Sequence, residues 1–344
     1  VYLCGMLQND LLIRAALGQS VSRTPVWVMR QAGRVLPEYR ETRARAGSFI
    51  QLVTNPEMAA EVTVQPVDHL GVDAAIIFSD ILVIPEAMGL PYTMDEGKGP
   101  FFPKTIETME DVHRLSTEGI AQHLHYVKEA LEITLSKLEN RVPLIGFAGA
   151  PWTIFCYMIE GKGSKEFNKA RKVLIAQPEL AQALLEKISI ATIEYAQMQI
   201  NTGIHLFQLF DSWAGVLNAD VYERYILPHV ERILSVIQPQ IPTTFFAKGA
   251  HYALPLMKNL SANVIGLDWT MDPVQTRKLL PGKTLQGNLD PALLYGSDQE
   301  IIKSTHAMME KFGNEPYIGN LGHGVYPDID PKKLKLYIET IQNR

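Results

Sequence analysis

Eight short apolar runs, most of them followed by a stretch with helical spacing, constrain what this chain can fold into. They occupy 26–29, 74–78, 144–147, 206–210, 243–246, 264–267, 284–286 and 317–318. Each is nearly continuous in apolar or β-branched residues, the pattern of strands covered on both faces in a parallel sheet. Between them, 56–70, 121–138, 178–200, 220–237 and 331–341 carry helical spacing, and Pro56, Pro178, Asp220 and Pro331 are sound helix starts. Eight strands, most of them paired with a helix, predict a closed α/β barrel of the (β/α)8 TIM type, as one domain over 1–344. A doubly wound sheet would want a glycine turn for phosphate directly after a strand. The glycine-rich pieces Glu96-Gly97-Lys98-Gly99 and Glu160-Gly161-Lys162-Gly163-Ser164 follow no such run and match neither the dinucleotide nor the P-loop pattern, so they are read as loops.

Composition narrows the function classes. With 344 residues, 47% of them hydrophobic, there is material for a large core, and such barrels exceed ~250 residues as one unit. A formal net charge of −5, with neither half strongly basic, excludes a general binder of nucleic acid or anionic membrane. No apolar run reaches the ~18 residues that span a bilayer. The two cysteines, Cys4 and Cys156, supply neither a disulfide framework nor a multi-thiolate zinc site, and fit a reducing compartment. Residues 1–6 lack the basic flank and apolar core of a secretory signal and are set apart as a disordered or processed segment.

The chemistry-bearing residues sit just after the runs: Arg30, Ser79-Asp80, Pro151-Trp152, Asp211-Ser212, Lys248, Asp268, Asn288, and Asn320 with His323. In a parallel barrel all those ends open on one face, where active sites are built. Arg30 and Arg34 stand four apart, so a helical turn would aim both guanidinium groups the same way. Guanidinium forks bind carboxylates bidentately, which makes this stretch chemistry for an acidic ligand. Arg30 ends an apolar run and is no ordinary surface charge; Arg40 and Arg45 read equally well as a solvated helix face paired with Glu38 and Glu41. Asp80 follows a run that should be buried and needs a partner there, either as a helix cap or as a preorganised carboxylate. Tyr157 lies in an aromatic stretch, Ser212 follows Asp211, and His323 stands between glycines in a tight loop; each taken alone is weak. The nine histidines show no metal-ligand spacing beyond His123 and His125 on a surface helix, and no serine or cysteine has a nucleophile's context.

The segments Met29-Arg30-Gln31-Ala32-Gly33-Arg34, Phe78-Ser79-Asp80-Ile81-Leu82, Gly146-Phe147-Ala148-Gly149-Ala150-Pro151-Trp152-Thr153, Gly266-Leu267-Asp268-Trp269-Thr270, Leu285-Gln286-Gly287-Asn288-Leu289-Asp290-Pro291 and Asn320-Leu321-Gly322-His323-Gly324 resemble those of the uroporphyrinogen decarboxylase family, in the same order, across roughly 7–341. The resemblance implies a TIM barrel, usually a homodimer, in the tetrapyrrole route to heme. It implies a carboxy-lyase that converts uroporphyrinogen to coproporphyrinogen by removing CO2 from the acetate arms, with no metal and no organic cofactor. By the same carry-over, Arg30, Gln31, Ala32, Gly33 and Arg34 bind the substrate, and Arg43 is a weaker addition. Asp80 accepts the pyrrole N–H groups, and Tyr157, Ser212 and His323 complete the pocket; Asp80, Arg30 and Tyr157 are the catalytic expectations. A cytoplasmic enzyme is implied, or a plastid one in a photosynthetic source. Val35, where many relatives carry an aromatic residue, and Trp213 depart from the pattern. Two rivals remain: a zinc-dependent methyltransferase of the same barrel superfamily, which needs His and Cys ligands near the late strands, and a non-catalytic porphyrin-binding protein.

Overall fold

The structure, a computed structural model, describes residues 7–95 and 99–343; the segment 1–6 with Cys4, the loop positions Glu96–Lys98, and Arg344 lie outside the described residues. In chain order the strands are β1 (Ala75–Ile76), β2 (Thr93–Asp95), β3 (Gly99–Phe101), β4 (Leu144–Gly149), β5 (Leu206–Asp211), β6 (Thr243–Ala247), β7 (Val264–Gly266), β8 (Thr284–Leu289) and β9 (Tyr317–Leu321). β2 and β3 form a small antiparallel hairpin, while the other seven make one parallel sheet in the order β1-β4-β5-β6-β7-β8-β9. The eighth predicted strand, at 26–29, appears as an extended segment with a single parallel bridge from Val26 to Gly319. It joins the two sheet edges: Gly319 N–H donates to Pro25 at 2.8 Å on one side, and Asp73 N–H donates to Val26 at 2.8 Å on the other. That closes a ring of eight positions, with the extended segment first, β1 second and β9 last.

Burial explains the strand composition. β4, β5, β6, β8 and β9 are buried at every position, because helices cover the outside and side chains fill the inside. Inside the barrel, Trp27 Nε1–H donates to Gln286 at 2.9 Å, and Gln286 in turn reaches Gln208 at 3.3 Å. Asp73 staples the closure: its buried carboxylate accepts from both Arg23 nitrogens at 2.6 and 2.8 Å, from Val26 N–H at 2.9 Å and from Asn9 at 2.7 Å.

The helices begin and end largely where local chemistry puts them. Pro56–Leu70 starts on Pro56 behind the Asn55 cap and ends at Gly71, whose left-handed φ of 70° closes it. Pro178–Thr202 and Pro331–Gln342 likewise start on their prolines. Two expectations need correction. The predicted helix at 121–138 is broken at Leu124 into Ile120–His123 and His125–Leu138. The predicted start at Asp220 is instead capped by Asn218, whose side chain accepts from Val221 N–H, and Tyr222–Ile226 widens into a π-turn before Leu227–Ile237. Pro228 has no N–H to continue an α-helical ladder there, and the widened turn carries Tyr222 to Asp211.

Candidate active site

The C-terminal strand ends gather the predicted polar groups around one mouth. Its floor is apolar, built on Phe147, Phe210 and Phe246 in edge-on contact, with ring centroids 5.8 and 6.1 Å apart. Arg30 enters from the closing segment. Its backbone takes a left-handed φ of 65°, rare for a residue with a side chain, which turns the chain sharply out of the barrel wall. The side chain then lies across the backbone of Gly324, where a Cβ would fall 2.7 Å from the Arg30 Nε. Its tip stays open to water, yet the protein walls lower its pKa; the Tyr157 phenol works against that, and the Arg34 charge adds to it.

Asp80 stands half-buried at the next position in the ring. Its Oδ2 accepts from Tyr92 O–H at 2.8 Å and its Oδ1 accepts from Leu82 N–H at 3.2 Å. Burial raises its pKa, with the Tyr92, Leu82 and Ile81 hydrogen bonds pulling it back. A carboxylate in this state is short of donors, so a ligand offering N–H groups or a positive ring favours its ionised form. Tyr157 lies on the helix Pro151–Glu160; burial pushes its phenol up, and its ring meets Trp213 edge-on at 6.3 Å.

Ser212 is held by a buried relay. Thr153 Oγ1 accepts from Ser212 N–H at 2.8 Å and donates to Asp211 at 2.8 Å, while Tyr222 O–H donates to the other Asp211 oxygen at 2.7 Å. Burial pushes the Asp211 carboxyl up to about 6. His323 sits between Phe246 and Trp269, with ring centroids at 6.4 and 6.3 Å. Burial, then Arg30 and Lys248, depress its pKa to about 3, so the imidazole is neutral at ordinary pH. Among the described residues no group of three or more His, Cys, Asp or Glu side chains is placed to hold a metal ion, and no helix is long and apolar enough to cross a membrane.

The family model described as Uroporphyrinogen decarboxylase (URO-D) matches residues 7–344. Uroporphyrinogen decarboxylase of Salinibacter ruber is 44% identical over 97% of this chain and 96% of its own. That of Schizosaccharomyces pombe is 45% identical over 97% of both chains. This chain belongs to the uroporphyrinogen decarboxylase family. Among solved structures, a methyltransferase from Methanosarcina mazei superposes with a TM-score of 0.84 over 98% of this chain and 99% of its own, at 19% identity. A B12-independent methionine synthase from Shewanella sp. follows at 0.57, covering 95% of this chain and 98% of its own, at 11% identity. At those identities the likeness is one of fold: both share the barrel.

Within this family member, Arg30 and Arg34 with Ala32 and Gly33 follow the closing segment, Asp80 follows β1, Tyr157 lies on the helix after β4, Ser212 follows β5 and His323 follows β9, all on the C-terminal side of the ring. Gln31 faces the other way. Its buried amide accepts from Val28 N–H at 3.0 Å and donates to Ala74 at 2.9 Å, tying the closing segment to the residue before β1, and its backbone N–H donates to the Val28 carbonyl at 2.9 Å. Arg43 lies near Tyr39 on the helix Pro37–Ala46; burial raises the Tyr39 pKa, and Arg43 and Arg34 pull it back. The surface pairs expected for Arg40 and Arg45 are re-drawn. Arg40 donates to the Arg34 carbonyl at 2.7 Å and so pins the turn, Arg45 pairs with Glu61, and Glu38 faces His69 at 3.7 Å.

Asp268, Asn288 and Asn320 also stand at strand ends, but the hydrogen bonds their side chains make go mainly to backbone groups, and the buried Asn320 Nδ2 has no partner among the described residues. Asp268 accepts from Gly249 and Thr270 N–H, Asn288 donates to the Asp268 and Met271 carbonyls, and Asn320 accepts from Met29 N–H. Tyr92 was missed altogether. It lies 12 residues past Asp80 with no motif to mark it, and only the fold brings its hydroxyl to that carboxylate.

Proposed function

We propose that this chain, acting as one barrel domain over 1–344, is a cofactor-independent uroporphyrinogen decarboxylase that converts uroporphyrinogen III to coproporphyrinogen III. The observation that carries the reading is one accessible carboxylate, Asp80, set in the same mouth as two guanidinium groups, Arg30 and Arg34. An acidic macrocycle with inward N–H groups answers both features. The arginines take carboxylate arms as forked ion pairs, and Asp80 accepts the pyrrole N–H donors.

Each arm consumes one proton and releases one CO2. A proton adds to the pyrrole carbon next to the acetate arm, and the ring becomes cationic. The bond to the carboxylate then breaks, its electron pair flows into the ring as CO2 leaves, and an exocyclic methylene remains. Protonation of that methylene and loss of the first proton from the ring leave a methyl group. Asp80 stabilises the cationic stage from the centre of the macrocycle, where its charge is preorganised. Tyr157, within the field of Arg30, completes the reacting side of the pocket, and neutral His323 offers a hydrogen bond without adding positive charge against the cationic ring. The family resemblance supports extending this reading to a cytoplasmic homodimer.

The test is anaerobic incubation with uroporphyrinogen and no added cofactor, following carboxyl loss by chromatography. Coproporphyrinogen is expected; tight binding with no product would favour a porphyrin-binding protein instead. Asp80→Asn should stay folded and lose turnover by about 10²–10³-fold, the usual effect of removing one preorganised electrostatic contact. Near-normal turnover in that variant would reduce Asp80 to a turn cap.

A further inference from the structure

The ring order places Lys248 in a position that none of the roles above uses. Counting from the closing segment, Arg30 follows the first position and Lys248 follows β6, the fifth of eight, so the two cations leave the barrel wall on opposite sides of the mouth. Lys248 is held rigidly at its backbone: its N–H donates to Asp211 at 2.9 Å, and its carbonyl accepts from Gly215 N–H at 2.9 Å. Its half-buried side chain lays the ammonium over Trp269, 5.7 Å from the ring centroid. The Trp269 ring meets His323 edge-on with centroids 6.3 Å apart, and His323 is within reach of both the Arg30 and Lys248 charges.

The neighbouring acid does not neutralise this lysine. Asp268 spends its oxygens on Gly249 N–H at 2.5 Å, Thr270 N–H at 2.7 Å and the Thr270 hydroxyl at 2.6 Å. Among the described residues no ion pair includes Lys248, Arg30 or Arg34. A cation stacked on an indole is aimed at small entropic cost, and an ammonium is a point charge suited to a single carboxylate.

We propose that Lys248, steadied by Trp269, is a second carboxylate anchor that takes an acidic arm on the edge of the ligand opposite the one held by Arg30 and Arg34. This rests on the decarboxylase reading for the identity of the ligand. A disc gripped at one edge pivots about that grip, whereas a disc gripped at two opposed edges keeps its centre over Asp80.

The test measures Lys248→Met and Lys248→Arg in two assays on the full chain: anaerobic steady-state turnover of uroporphyrinogen, and fluorescence titration with uroporphyrin, the oxidised and unreactive macrocycle carrying the same carboxylates. Losing one charge-assisted contact at a half-exposed position should raise both KM and the uroporphyrin Kd about tenfold in Lys248→Met, with kcat within about twofold. Lys248→Arg should restore both to within about twofold. Wild-type KM and Kd in Lys248→Met, with or without a lower Tm, would overturn the proposal and leave the lysine as a prop for Trp269. A wild-type protein that binds uroporphyrin but makes no product would sink the decarboxylase reading alone, because the Kd comparison would still decide the role of Lys248.

Discussion

Gly324→Ala separates the grip of Arg30 from the stability of the barrel. The added methyl would lie 2.2 Å from the Arg30 Cδ, 2.6 Å from its Cγ and 2.7 Å from its Nε, where an ordinary contact is 3.4 Å or more. The guanidinium stem has to recede by about 1.2 Å at its Cδ, and it can, because its tip faces open water. The backbone has no reason to move, since Gly324 is not among the glycines with a left-handed φ and alanine is at ease there. A misplacement on the order of 1 Å in a positioning group costs ~10²-fold, or about 2.7 kcal/mol of transition-state stabilisation. The expected result is a fall of about 30–100-fold in kcat/KM for uroporphyrinogen, with Tm within about 2 °C of wild type. Gly322→Ala is the contrasting control. There the new methyl meets Trp269 backbone, with its Cα 2.8 Å away, so the β9 loop itself must shift and stability should fall by about 1–3 kcal/mol. Wild-type kcat/KM in Gly324→Ala would refute the placement of Arg30 across that glycine, and a collapse of Tm would refute the separation of grip from fold.

Two further outcomes follow from groups behind the mouth. Asp211 binds its proton more tightly in the folded chain, with a pKa of about 6 against an ordinary 3.8, so it adds stability below about pH 3.8 that is lost as the pH rises through about 6. That contribution is about 3 kcal/mol, and urea unfolding of wild type and Asp211→Asn should diverge by that order between about pH 4 and about pH 7; parallel pH curves would count against it. Asp73→Ala strands the Arg23 charge and the Val26 N–H at the barrel seam, and should cost ~3–5 kcal/mol in denaturant unfolding; a loss under about 1 kcal/mol would show that the ring closes without this staple.

Much of the site was legible in the sequence for one reason. In a parallel barrel, whatever ends an apolar run lands on the mouth, so Arg30, Asp80, Ser212 and His323 could be placed there from their position in the chain, while their roles came only from the family resemblance. The same rule over-reached at Asp268, Asn288 and Asn320, which share that position but whose side chains hydrogen-bond mainly to neighbouring backbone. It also under-valued Lys248, a strand-end cation whose surroundings only the ring order reveals.

By itself the sequence determined the number and order of the barrel positions, the proline starts of the long helices and the cationic turn at Arg30. These depend on periodicity and on backbone chemistry within a few residues. Strand lengths did not follow from apolar runs alone, because Gly149, Gly287, Asn288 and Asn320 take ladder positions that hydrophobicity does not mark. Only the tertiary structure chose the partners: Tyr92 for Asp80, Glu61 for Arg45, Tyr222 for Asp211, Ala74 for Gln31. A hydrogen bond or an ion pair forms with whatever the packed fold brings within about 3 Å, and sequence spacing carries little of that distance.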